Sequence, residues 1–142
     1  MAFTGNYTCN SFKQQLFEGD FDFSATTTQT FKIALYTNDA TLDQTTTAYT
    51  ATGEVVATGY TAGGELITPS LATDSSTGVV YVDFSNASWN GAFTARGALI
   101  YRVTTGNPAI CVLDFGSDKT STTTFVVEFP PNTSTDALIR LS

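Results

Sequence analysis

The sequence predicts an all-β domain: an antiparallel β-sandwich or jelly-roll-like barrel with one short N-terminal helix. Three observations carry that expectation. Hydroxyl groups replace charges as the source of polarity, with 27 Thr and 11 Ser against a charged fraction of 13% in 142 residues. Thr is β-branched and stiff at χ1, so it favours a pleated, half-exposed surface over a helix. Apolar residues recur at period two beyond Gly19, as half-buried strands require. Clusters of Thr, Gly, Asn, Asp and Pro then separate seven or eight such runs at short spacing, the pattern of a sandwich or barrel. Hydrophobic residues make up 42% of the chain and aromatics 13%. At this length a single domain withdraws about 70% of its unfolded surface from water, so a true core is expected and disorder is not.

Residues 1–10 are small, polar and turn-like, and read as an N-terminal arm or first edge segment. Residues 11–142 read as one β-sandwich domain with no internal repeat and no linker. The domain opens on a helix over 11–18: Ser11 and Gln14 have the spacing of a capping box, Phe12 and Leu16 lie one turn apart, and Gly19 supplies a stop. So short a helix must dock an apolar face on something. Strand runs follow at Phe31–Tyr36, at Val79–Phe84 and at Phe93–Val103, where Gly97 marks a bulge or a close backbone approach. Ala109–Phe115 is almost continuously apolar and reads as a central strand; Phe125–Phe129, stopped by Pro130-Pro131, and Ala137–Leu141 complete the set. Glu54–Thr61 is a strand or an extended loop edge, and Leu66–Leu71 is a strand weakened by Pro69.

Composition excludes several chemistries. Six basic residues against thirteen acidic ones give a net charge of −7, with no Lys/Arg cluster to neutralise phosphates, so nucleic acid is not an expected partner. The absence of His removes His-activated nucleophiles and His-based metal sites. No apolar stretch approaches the roughly 20 residues of a membrane helix, and MAFTGNYTCN lacks the basic and apolar regions of a secretory signal. Cys9 and Cys111 match no metal spacing and sit among small or apolar neighbours, so free buried thiols are expected rather than a disulfide. Asp20 and Asp22 in GDFDF could pair on one strand face, and Asp39 and Asp43 flank a turn. With no cleft or calcium-loop spacing around them, both pairs read as solvated acids. Gly59–Gly64 lacks the Lys-Ser/Thr of a phosphate loop, and the sequons at Asn6, Asn86 and Asn132 matter only in a secreted eukaryotic setting. No catalytic residue, metal site or cofactor is expected.

The residues that could matter are interaction residues. Phe12, Leu16 and Phe17 would dock the helix on a partner or a sister copy. Tyr60, exposed on its glycine-rich turn, and Trp89, in the loop between two strands, would serve as interface anchors or a stacking platform; for Trp89 a core plug is the favoured reading and the anchor its alternative. Arg96, beside Gly97, can hold a carboxylate within the subunit or across to a neighbour.

The segments SFKQQLFEGDFDF, FKIALYTNDATLD, TTAYTATGEVVATGYTAGG, FTARGALIYR and AICVLDFGSDKT resemble small proteins encoded in tailed-bacteriophage genomes and prophages, over nearly the whole chain. The resemblance implies a non-enzymatic structural protein of the virion, assembled in the bacterial cytoplasm, and carries no catalytic residues with it. The expected role is a capsid decoration or cement protein that binds the major capsid protein or other virion proteins as a homo-oligomer. A tail- or fibre-associated protein is the alternative, followed by a host-surface or carbohydrate-binding module.

Overall fold

The computed structural model describes residues 3–142. Its elements, in chain order, are β1 (Tyr7–Thr8), α1 (Asn10–Glu18), β2 (Thr30–Tyr36), β3 (Glu65–Ile67), β4 (Pro69–Asp74), β5 (Val79–Phe84), β6 (Ala87–Asn90), β7 (Thr94–Val103), β8 (Ala109–Thr120), β9 (Thr124–Val127) and β10 (Ile139–Leu141). Three antiparallel sheets result, ordered β1-β8-β7-β2-β3, β10-β5-β4 and β6-β9. The protein is an all-β sandwich with one short helix.

Hairpins account for the longest pairings. β7 and β8 turn through Thr104–Pro108, where Asn107 adopts φ 41° and accepts the Thr104 N–H on its side chain, a conformation Asn tolerates better than most residues. β4 and β5 turn through 75–78: Asp74 accepts the Ser76 N–H and hydroxyl, and Gly78 closes the turn at φ 73°. Pro69 does not break its strand. It opens β4 opposite Phe84, on an edge strand where its missing N–H disrupts no ladder. The chain changes sheets at Thr68, so the single expected run 66–71 is two strands.

The five-stranded sheet is covered on both sides, which explains the unbroken apolar runs of β7 and β8. On one side Phe12, Phe21, Phe23, Phe31 and Phe84 form an aromatic layer between α1, β2 and β5, with neighbouring ring centroids 4.8 Å (Phe12–Phe21) to 6.1 Å (Phe12–Phe23) apart, within the range of favourable aromatic packing. A second layer joins Tyr60, Trp89, Phe93 and Phe125, the last pair stacked at 5.2 Å. On the other side the 37–64 connection lies over β2 and β7: Tyr49 stacks on Tyr101 at 4.8 Å, and the Tyr36 hydroxyl donates to the Thr50 carbonyl.

Several expectations require correction. Strands number ten among the described residues, because β1, β6 and the β3/β4 division escaped notice. For Glu54–Thr61 the loop-edge alternative is the one observed, contributing one bridge from Glu54 to Tyr36. β8 lies next to the edge strand β1, and β7 holds the centre. α1 starts one residue early: Cys9 is its N-cap and makes no side-chain cap bond. The Ser11 hydroxyl is buried without a partner, and Gln14 bonds Glu18 instead of reaching back, so no capping box forms. Gly19 does end the helix, at φ 85°. Of the expected arm 1–10, residues 1 and 2 lie outside the described residues. The rest is part of the fold, since β1 pairs with Cys111 and Val112 of β8 and Phe3 is buried.

Gly97 performs both of the functions expected of it. The β7–β8 register slips between Ala95 and Gly97, with Arg96 alone on β7 opposite Phe115–Asp118. A Cβ on Gly97 would lie 2.4 Å from the Phe3 ring and 2.6 Å from the Leu113 carbonyl oxygen. The buried arm residue thus occupies space that only glycine leaves open.

Candidate functional site

An apolar recess lies between α1 and the three-stranded sheet. α1 turns Phe12 inward against Phe21 and Phe23, keeps Leu16 half-buried beside it, and leaves Phe17 87% exposed. Lys13 lies four residues before Phe17, on the same side of the helix. Across the gap, register aligns Leu71, Val82 and Ile139 in one row and Thr73, Val80 and Leu141 in the next, all on one face of the sheet. Val82 is sealed into the core, whereas Leu71, Val80 and Leu141 remain exposed. Phe23, in the segment after α1, packs on Phe84 at one end of this face, while Val80 and Leu141 at the other end stay exposed. A groove of about 630 Å³ opens between Lys13, Phe17, Ile139 and Arg140. A smaller one of about 260 Å³ runs beneath it to Phe21, Phe23 and Leu71.

The six residues singled out from sequence do not share one surface. Leu16 and Phe17 line the groove. Phe12 also touches it but is only 1% exposed and belongs to the aromatic core. Tyr60 and Trp89 are buried too, so the expected exposed turn and loop are corrected. Tyr60 is turned into the core, and Trp89 lies on β6 opposite Phe125, with its indole N–H unpartnered. Neither ring is available as a stacking platform, and for Trp89 the core-plug alternative is the one observed.

Arg96 is satisfied within the chain. Its guanidinium pairs with Asp114 and lies 5.7 Å from the centroid of the Phe3 ring, the single ion pair among the described residues. Asp114 also accepts the Gly116 N–H, while its own N–H donates to Asn6. Partial burial would raise the Asp114 carboxyl; the Arg96 hydrogen bond, the Gly116 N–H and the Arg96 charge outweigh it and hold the group below its ordinary value. The arm, the β7 bulge and β8 are stapled at this point.

The acidic pairs do not converge. Asp22 and Asp43 each accept hydroxyl and backbone N–H bonds, from Ser24 and Thr45 respectively, that hold them below the usual carboxylate range. Asp20 and Asp39 are exposed. No group of three Asp, Glu or Cys residues arranged for a metal occurs among the described residues. Cys9 and Cys111 are free and buried. Burial, then the Asp43 charge, partly offset by Lys13, pushes the Cys9 thiol up to about 11.

One cluster went unseen in the sequence. Glu54, 7% exposed, accepts the Tyr60 hydroxyl at 2.7 Å and the Gly63 N–H at 2.7 Å on one oxygen, and the Tyr49 hydroxyl at 2.6 Å on the other. The Tyr60 hydroxyl accepts the Leu35 N–H in turn, and the Tyr101 hydroxyl donates to the Gly63 carbonyl. Burial is the main cause that pushes the hydroxyls of Tyr36, Tyr49 and Tyr60 far up, with Glu54 adding to it; Tyr101 rises to about 12 for the same reasons. Tyr60 also lines a shallow recess with Val55 and Val56, and the arrangement fastens the 37–64 connection to β2 and β7. Its signal was available: an acid flanked by Val55 and Val56, with tyrosines five residues before and six after.

The fold and its surface thus define an all-β sandwich with an open apolar groove beside its helix. No family model, curated protein or solved structure matches the chain.

Proposed function

We propose that this protein is a non-enzymatic structural subunit of a tailed-phage particle, a decoration or cement protein that docks on the major capsid protein through the groove beside α1. The observation that carries the reading is Phe17, 87% exposed on a short helix, which shares a recess with the exposed Leu141. Contiguous apolar surface of this kind marks an interaction site, and a protruding aromatic beside a recess suits an anchor. The resemblance of the chain to small phage-encoded proteins supplies the setting. The rest of the chain suits the role: polar groups near the conspicuous acids are occupied in turns, and the two cysteine thiols are buried. Repetition over a symmetric shell would turn a contact of modest strength into a stable coat through avidity.

A tail- or fibre-associated subunit would use the same groove, and copy number separates the two. Quantitative mass spectrometry of purified particles is expected to find one copy, or a simple multiple, per major capsid subunit. A handful of copies per particle would favour the tail, and absence from particles would refute the virion role. The carbohydrate-binding alternative loses support, because the two aromatic rings it relied on, Tyr60 and Trp89, are buried.

A further inference from the structure

The groove is not electrically neutral, and its charge runs against that of the chain. Of six basic residues on a chain of net charge −7, Lys13 of α1 and Arg140 of β10 both line the larger recess, and no Asp or Glu lines it among the described residues. Asp74 lies behind one wall, where it accepts the Ser134 hydroxyl as well as Ser76, and Asp22 lines only the smaller recess. Arg140 also donates to the Thr135 carbonyl, which anchors its guanidinium near the rim without neutralising it.

We infer that this groove receives a segment of a different protein that carries an acidic side chain next to apolar ones. The apolar part would lie between Phe17 and Leu141, with the carboxylate near Lys13 and near Arg140 at the β10 edge. Charge complementarity selects this occupant. A second copy packed groove to groove about a two-fold axis would set Lys13 and Arg140 against themselves, with the net charge of both copies adding to the repulsion. The inference rests on the groove being the docking surface, and deepens it by naming the chemistry of the partner.

The test uses the purified full chain and two fluorescent probes of similar apolar area, anionic anilinonaphthalene sulfonate and uncharged phenylnaphthylamine. The double variant Lys13→Glu/Arg140→Glu changes only exposed side chains. It is expected to bind the anionic probe at least about fivefold more weakly and the neutral probe within about twofold of the wild type. Equal loss of both probes, or of neither, overturns the inference. In intact particles, zero-length carbodiimide coupling is expected to join the Lys13 Nζ to an Asp or Glu of another protein; coupling to a second copy of this chain also overturns it. The titration needs no particle, so the two readings fail separately. A chain missing from particles would remove the virion role and leave the probe result standing. Charge-blind probe binding by a chain abundant in particles would remove only the present inference.

Discussion

Tyr60→Phe removes one oxygen atom and tests how the long 37–64 connection is held. The hydroxyl donates to Glu54 at 2.7 Å and accepts the Leu35 N–H at 2.9 Å, and both neighbours are buried. Phe keeps the ring contacts with Trp89 and Phe93, so packing is nearly conserved. An orphaned buried N–H costs about 1–3 kcal/mol, and a bond to a carboxyl group contributes a similar amount. Glu54 retains two other donors, so the second loss is partial and the sum is about 2–4 kcal/mol. For 142 residues the entropy of unfolding is about 0.3 kcal/mol per degree, which converts the loss to a fall in Tm of about 7–13 °C. Tyr49→Phe breaks a single bond, at 2.6 Å, on a half-buried residue that water can reach, and is expected to cost about 1 kcal/mol. Scanning calorimetry of both variants decides the matter. A Tyr60→Phe loss under about 2 °C, or one no larger than that of Tyr49→Phe, would refute the bridging role.

Further outcomes follow from the same geometry. Gly97→Ala forces a Cβ against Phe3 and the Leu113 carbonyl and is expected to cost about 2 kcal/mol by chemical denaturation. Adding Phe3→Leu should restore only part of this, because a backbone oxygen remains in the way; full restoration would contradict the account. Asp114 titrates below its ordinary 3.8 in the fold, so its contribution is present above that value and is lost as pH falls through the folded one. Stability measured from neutral to strongly acidic pH should therefore decline less steeply for Asp114→Asn than for the wild type, and an unchanged slope would count against the staple. Cys9 and Cys111 are buried and their thiols are raised by burial, so the native chain should resist iodoacetamide at neutral pH and label fully in denaturant; rapid native labelling would contradict their placement.

Local rules carried the sequence reading where short-range physics decides. Period two and β-branched content located β2, β5, β7, β9 and β10, a continuous apolar run located β8, and Gly19 and Gly97 were legible because a helix stop and a close backbone approach each demand a residue without Cβ. What escaped depends on contacts distant in sequence. Phe3 gives no sign on its own that it fills the space above Gly97, more than ninety residues along the chain. β6 is too short to show alternation, so Trp89 looked like a loop residue until Phe125 was seen across from it. Thr68 does not reveal that the chain changes sheets there. The Glu54 cluster is the exception: its donors Tyr49, Tyr60 and Gly63 are near in sequence, but only the path of the 37–64 connection turns them onto one carboxyl group. The groove was half legible: Leu16 and Phe17 were found by helical spacing, whereas its other wall required the pairing of β10 with β5.

Particle association of Phe17→Ser, compared with the wild type at matched concentration, tests the docking claim most directly. Because Phe17 is 87% exposed, its replacement should change stability by about 0.5 kcal/mol or less. Loss of an aromatic anchor costs about 2 kcal/mol or more per site, a fall in affinity of about thirtyfold. The account predicts an unchanged Tm together with that loss of association. A variant that folds normally and still coats particles as the wild type does would contradict it.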